Sequence, residues 1–231
     1  MVLFDDEVTK ALELFKKLDF NELNITNDLI EDVGSDNMIF KSECAYELGE
    51  NNSLSFELST SDIAIEDKIY LCGKDINEID ANEDFMRITL LNVRDDKLNG
   101  NALYDRLEQI KLAKYKVSPK GYMLRTSVGG KERVRVSKEL KSNGSFSKIG
   151  SAYIKEYKKL NYVNNVTIIF IVGKCDLYEE FKKLANKKKE ISDTIDHMLK
   201  GLMVNDCDAC SVKDLCDEVE GLREIHKNGR T

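Results

Sequence analysis

The chain has 231 residues and a net charge of −7, with 42% hydrophobic and 33% charged residues. This composition supports a buried core and argues against a disordered chain. The most apolar run, residues 166–173, is too short to cross a bilayer, and the acidic start lacks the basic region of a secretory signal, so we expect a cytoplasmic protein with no membrane partner.

The first half of the chain predicts one helix followed by strands. Apolar residues recur at helical spacing from residue 3 to 18, whereas residues 21–37 are polar and acidic and favour a loop. Strand-like stretches follow, separated by polar connectors, at 38–48, 54–60, 68–73 and 84–94. The sequence Gly49-Glu50-Asn51-Asn52 predicts a turn between the first two strands.

The second half alternates helices and strands. The predicted elements are a helix at 101–114, strands at 122–128 and 132–137, a helix from an N-cap at Ser145 to 160, a strand at 166–173 and a helix at 177–203. Lys188 interrupts the apolar stripe of the last helix, which allows a kink or break there. This order predicts an α/β (mixed α+β) domain over residues 1–203, with a mixed sheet flanked by helices.

Basic side chains are concentrated in one segment. Residues 111–148 contain eleven Lys and Arg but only two Glu. Side chains alternate along a strand, so Arg133 and Arg135 share one face, and Lys138 follows them. This pattern predicts an anion-binding site at Arg133, Arg135 and Lys138, and a solvated pair of strands is the alternative. Basic and aromatic residues do not interleave, so we expect no nucleic-acid partner.

The last segment, residues 204–231, contains three cysteines in a C-x2-C-x5-C pattern, Cys207, Cys210 and Cys216. Such thiolates hold iron–sulfur clusters, usually four thiolates to a cluster, or structural zinc. Free or disulfide-bonded thiols are the remaining alternative. A charged helix is predicted at 212–227, so we expect a small cysteine-rich helical module that binds a metal or cluster.

The fourth ligand is a separate question. His226 lies ten residues beyond Cys216, about 15 Å along a straight helix, which argues against one zinc ion bound by both unless the helix breaks. Cys44 and Cys72 fall in predicted strands and are expected to be buried apolar residues. Cys175, which follows the buried strand, is the predicted fourth ligand within the chain. A partner subunit or an exogenous ligand is the alternative.

Three short segments follow one another in the middle of the chain, Arg135-Val136-Ser137-Lys138-Glu139, Ser145-Phe146-Ser147-Lys148-Ile149-Gly150 and Val166-Thr167-Ile168-Ile169. A long charged helix and the cysteine cluster come next. In this order, over residues 85–216, they resemble acetyl-CoA synthase, the β-type subunit of the carbon monoxide dehydrogenase/acetyl-CoA synthase system.

The resemblance implies a particular chemistry. The family joins a methyl group, carbon monoxide and coenzyme A at a [4Fe–4S] cluster bridged to a two-nickel site. It implies that Cys207, Cys210 and Cys216 are cluster ligands. It also implies that the strand carrying Arg133 and Arg135 suits the phosphates of coenzyme A, although Arg133 stands where the family tends to carry tryptophan.

The chain also departs from the family. The family motif begins F-Y-x-C-x-x-C-Q-S-F-A-P, of which only C-x-x-C and a later cysteine are present, and the C-x-C that holds nickel is absent. The sequence therefore predicts a shortened, acetyl-CoA synthase-like iron–sulfur protein, for electron transfer or acyl and coenzyme A handling beside a carbon monoxide dehydrogenase-type or other redox partner. Two alternatives are a non-catalytic interaction module with structural zinc and a metal-free coenzyme A-binding protein. The sequence does not decide whether the chain is catalytic, nor whether it forms a homo-oligomer.

Overall fold

The computed structural model of the protein describes residues 3–94, 100–126, 131–199, 210, 212–219 and 222. Its strands are β1 (Asn21–Leu23), β2 (Cys44–Thr60), β3 (Lys68–Cys72), β4 (Glu83–Val93), β5 (Tyr122–Thr126), β6 (Glu132–Ser137) and β7 (Val163–Val172). Its α-helices are α1 (Asp5–Phe15), α2 (Gly100–Ala113), α3 (Lys138–Asn143), α4 (Phe146–Tyr157), α5 (Tyr178–Leu199) and α6 (Lys213–Glu218).

All seven strands join one mixed sheet in the order β1-β3-β7-β4-β2-β6-β5. β2 and β4 are parallel, as are β3 and β7, whereas the other neighbours are antiparallel. The central strands β7 and β4 are largely apolar because helices cover both of their faces. The predicted fold class, a mixed sheet flanked by helices, is confirmed.

Two hydrophobic cores lie on the two faces of the sheet. One is formed with α3, α4 and the end of α2, and includes Phe146, Tyr153 and Ile110. The other is formed with α1, α5 and α6, and includes Val8 and Ile191. No helix among the described residues is long and apolar enough to cross a membrane.

Local sequence explains how α4 begins and packs. The Ser145 side chain accepts a hydrogen bond from the backbone N–H of Lys148 at 3.4 Å, so the predicted N-cap is confirmed. Gly150 allows the helix to approach β3 closely. A Cβ at Gly150 would lie 2.8 Å from the Ile69 side chain.

The predicted turn at residues 49–52 is wrong. β2 runs continuously from Cys44 to Thr60, with a shift in its pairing to β4 between Leu48 and Ser53. Gly49 has a φ of +78°, which favours glycine, and the Asp84 carboxylate accepts bonds from the Asn52 backbone at 3.1 Å and side chain at 2.9 Å. The neighbouring strand therefore holds the chain in the sheet, where local sequence alone favours a reversal.

Other boundaries differ from the prediction. The segment predicted as a loop at 21–37 contains β1, and the unpredicted helix α3 is capped by the Ser137 side chain, which accepts from Leu140 N–H at 3.1 Å. α5 continues through Lys188 without a break. Within the helix predicted at 212–227, the structure describes the short helix α6, Lys213–Glu218.

The cysteine-rich segment packs against the α/β domain. Leu215, Val219 and Leu222 are buried in the core that also contains α1 and α5. The division into 1–203 and 204–231 remains a prediction, since only part of the second segment is described.

Candidate functional site

The β5–β6 hairpin positions the predicted anion-binding arginines. Val134 and Val136 point into the core, so Arg133 and Arg135 lie on the opposite face of β6. In the register of the hairpin, Arg125 pairs with Arg133, whereas Arg135 pairs with Glu47 of β2. Three arginines and one glutamate thus share one face at this end of the sheet.

Glu47 is bound by two of the arginines. Its Oε1 accepts from Arg125 Nη1 at 3.0 Å and from Arg135 Nε. Burial acts to raise the pKa of Glu47, but the hydrogen bond and charge of Arg135, with Arg125 and Arg133, hold that pKa below its ordinary value. Arg135 also donates to the Ile39 carbonyl at 3.1 Å, so this side chain is largely engaged within the protein.

Arg133 differs from Arg135 in its contacts. Its Nε is buried and has no hydrogen-bond partner within the described part of the chain. Two large apolar side chains at the same end of the sheet, Met38 and Phe40, are each 64% exposed on either side of the buried Ile39. The face therefore combines arginine donors with exposed apolar surface.

Lys138 begins α3, directly after the arginine strand. It is exposed, and its Nζ donates to the Ser42 carbonyl at 2.9 Å. Its backbone N–H donates to the Glu43 carbonyl at 3.0 Å. These contacts tie Lys138 to the loop that precedes β2, at the edge of the face that carries Arg135.

Two of the three clustered cysteines are described. Cys210 and Cys216 are both half-buried, whereas Cys207 lies outside the described residues. The Cys210 carbonyl accepts from the Lys213 N–H at 3.2 Å, and the Cys216 N–H donates to the Val212 carbonyl at 3.1 Å. The start of α6 therefore fixes the backbone that carries both thiols.

Cys175 follows β7 and is half-buried. Burial raises its pKa, and Cys72, buried on the neighbouring β3, has a pKa raised to about 12 by burial and by the nearby Cys175. Among the described residues, no three His, Cys, Asp or Glu side chains form a group able to hold a metal ion. Cys175, Cys210 and Cys216 are thus not brought together by themselves, and the ligand set that includes Cys207 remains a prediction.

A buried ionic cluster was not predicted from the sequence. Arg87 of β4 lies 3.3 Å from Glu132 Oε2 and 3.6 Å from Glu57 Oε1, and Lys114, from a short 3₁₀ turn after α2, contacts both glutamates. All four side chains are at most 7% exposed. The sequence signal that could have revealed this cluster is a single arginine within the apolar strand Phe85-Met86-Arg87-Ile88-Thr89-Leu90.

The charges of this cluster stabilise one another. Burial acts to raise the pKa of Glu132, but Arg87 and Lys114 outweigh it and lower that pKa. Burial likewise acts to lower the pKa of Lys114, and Glu57 and Glu132 outweigh it and raise that pKa. Opposite charges within the cluster therefore outweigh the cost of burying Glu132 and Lys114 in their charged forms.

Comparisons with known proteins give no relative to guide these assignments. No family model matches the sequence, and no match was found among curated proteins. The arginine face, the cysteine segment and the buried cluster are therefore interpreted from their own chemistry.

Proposed function

We propose that the chain is an acetyl-CoA synthase-like iron–sulfur protein of the cytoplasm, which transfers electrons or handles acyl and coenzyme A groups beside a partner enzyme. The observation that carries the proposal is the cysteine spacing together with the anchoring of its C-terminal part. Cys210 lies just before α6 and Cys216 lies within it; both are half-buried, and Leu215 and Val219 attach this segment to the α/β domain.

The donor set fits an iron–sulfur cluster. Thiolates are the usual ligands of these clusters, and Cys207, Cys210 and Cys216 supply three within ten residues. A bound cluster would supply one-electron transfer. Half-buried ligands suit this role, because a cluster near the surface can exchange electrons with another protein while the chain shields it from water.

The arginine face supports coenzyme A handling. Guanidinium groups bind phosphates through charge-assisted hydrogen bonds, and Arg133 has a buried donor without a partner among the described residues. Lys138 adds a further cation at the edge of this face. The exposed Met38 and Phe40 offer apolar surface to the remainder of the ligand.

A partner protein is part of the proposal because residues 1–231 contain no C-x-C motif of the kind that holds nickel in the family. A carbon monoxide dehydrogenase-type or other redox protein would exchange electrons with the cluster. The fourth ligand would be Cys175 or a side chain of a partner subunit, and a second copy of this chain is one such partner.

The first test is metal analysis of protein purified without oxygen. We expect about four iron and four acid-labile sulfide for each cluster, with a visible absorbance that dithionite bleaches. Cys210→Ser and Cys216→Ser should each lose most of the iron. Cys44→Ser is the matched control, because Cys44 lies in β2 and donates to its own strand at the Tyr46 carbonyl.

Colourless wild-type protein without iron and sulfide would exclude the cluster. Equal iron in all three serine variants would exclude the clustered cysteines as its ligands. Circular dichroism of each variant separates loss of the cluster from loss of the fold.

The coenzyme A function has its own test. Arg133→Ala should weaken binding of coenzyme A in a titration, because it removes a phosphate donor. Lys155→Ala is the matched control, since it removes one exposed charge from α4 on the other side of the sheet. Equal binding by the two variants and the wild type would exclude Arg133 from the site.

The second candidate function is a non-catalytic interaction module stabilised by zinc, which the same cysteine spacing favours. It predicts stoichiometric zinc without sulfide, and loss of α6 when a chelator removes the metal. Unchanged structure after chelation would contradict it.

A further inference from the structure

β5 forms one edge of the sheet, because it is the last strand in the order and pairs with β6 alone. The Gly121 carbonyl, just before β5, accepts from the Ser137 N–H of β6 at 2.9 Å. Opposite residues of an antiparallel pair alternate between bonded and non-bonded, so every second residue of β5 after Gly121 bonds to β6. The residues between them, Tyr122, Leu124 and Thr126, direct their backbone N–H and C=O groups away from β6.

The outer side of β5 is covered at its first residue. The Tyr122 N–H donates to the Pro119 carbonyl at 2.9 Å, and the Tyr122 carbonyl accepts from Asn37 Nδ2 at 2.7 Å. Within the described part of the chain, the outward backbone groups of Leu124 and Thr126 have no hydrogen-bond partner. Free N–H and C=O groups along a sheet edge are a template for a further strand.

The side chains beside this edge are cationic on one face and apolar on the other. Arg125 lies on the same face as Arg133 and Arg135, and its side chain is 41% exposed. The carboxylate that pairs with Arg125 and Arg135 is Glu47, so the three arginines and this glutamate leave a net charge of about +2 on the face. On the opposite face Leu124 packs against the hydrophobic core that contains α3 and α4.

We propose that β5 is the docking edge for a partner protein, which adds an extended segment as a further strand with acidic side chains beside Arg125 and apolar side chains beside Leu124. Its backbone bonds to the outward N–H and C=O groups of Leu124 and Thr126. Alternate side chains of a strand point to opposite faces, so its carboxylates meet the arginine face. The inference goes beyond the proposed function and rests on neither the cysteines nor coenzyme A.

Titration of the full chain against capped, fluorescently labelled peptides tests the proposal by anisotropy. One peptide alternates valine and glutamate, and the other alternates valine and lysine. We expect the glutamate peptide to bind, more weakly as salt is added, and the lysine peptide not to bind, because the arginine face attracts only the first. Absence of binding by the glutamate peptide, or equal binding of the two peptides, would overturn the proposal.

Two matched pairs of variants locate the binding. Thr126→Pro removes an outward N–H at an edge position where proline is tolerated and should weaken binding of the glutamate peptide about tenfold, whereas Thr126→Ala keeps this donor and should bind as wild type. Arg125→Glu should weaken binding about tenfold or more, whereas Lys155→Glu, at an exposed position of α4, should not. Equal binding within either pair, with the fold of each variant checked by circular dichroism, would overturn the assignment.

The same variants distinguish other occupants of the edge. Coenzyme A should bind Thr126→Pro as it binds the wild type, because this change leaves the arginines in place, so the two proposals can fail separately. Size-exclusion chromatography gives the oligomeric state. A dimer that Thr126→Pro dissociates would overturn the partner protein as occupant, because a second copy of the chain would then fill the edge.

Discussion

The two faces of the central strand β4 are both buried, yet one is stabilised by apolar contacts and the other by buried charged and polar groups. On one face Met86, Ile88 and Leu90 belong to the hydrophobic core that contains α1 and α5. On the other face Arg87 and Thr89 belong to a polar cluster within an otherwise apolar core. Apolar contacts are non-directional and tolerate small changes, whereas buried charges depend on a specific set of partners.

The polar face depends on residues that are distant in sequence. Arg87 donates to Ser55 Oγ at 2.7 Å and to Glu132 Oε2 at 3.3 Å, while Lys114 reaches the same glutamate from the end of α2. Four segments of chain must therefore be in place before all of these charges are neutralised. We expect this face to be the more sensitive one.

The largest effect should follow from Arg87→Met. This variant leaves Glu57 and Glu132 buried with one cation fewer, and breaking a buried pair in this way costs about 3–5 kcal/mol. Urea unfolding followed by circular dichroism measures the loss. Arg125→Met is the control, because Arg125 is 41% exposed and its Glu47 partner retains Arg135. Equal losses in the two variants would remove the distinction between the buried and the exposed arginine.

A somewhat smaller loss is expected on the apolar face. Leu90 is fully buried, and Leu90→Ala should reduce the free energy of unfolding by about 3 kcal/mol through lost transfer energy and a residual cavity. Leu90→Met, which conserves volume, should cost less than about 1.5 kcal/mol. If both variants cost as much as Arg87→Met, the two faces would not differ as proposed.

The pH dependence of stability should separate the faces further. Arg87 and Lys114 lower the pKa of Glu132 in the folded chain, so Glu132 contributes stability that is present above its unfolded pKa of about 4.3 and lost as the pH falls through the folded pKa. The difference in unfolding free energy between wild type and Glu132→Gln should therefore be largest near neutral pH and shrink below about pH 4. Urea unfolding across this range gives the difference, and a constant difference would contradict the lowered pKa.

The smallest effect is expected from exposed pairs on α5. Lys182 lies 3.2 Å from Glu179 one turn away, and both side chains are largely exposed. Lys182→Ala should change the unfolding free energy by less than about 0.5 kcal/mol, because water and salt screen such pairs. A loss comparable to that of Leu90→Ala would show that α5 contributes more through its charges than through its buried stripe.

Patterns local in sequence predicted most of the framework. Apolar periodicity gave α1, α5 and β7, the Ser145 cap gave the start of α4, and the order of elements gave the mixed sheet with helices on both sides. The arginine pair on one face of β6 followed from strand alternation. Cysteine spacing predicted that Cys207, Cys210 and Cys216 are metal ligands, and this stays a prediction for all three.

Only the tertiary structure decided where the polar residues of β2 face. Ser53, Ser55, Glu57 and Ser59 alternate with apolar residues, a pattern that indicates a strand with one side in water. In the fold that side is turned toward Arg87, Lys114 and the tyrosines of α4. Alternation of polar and apolar residues shows that one face of the strand is polar. It does not show whether solvent or distant side chains cover that face, because the cover depends on which segments of the chain pack there.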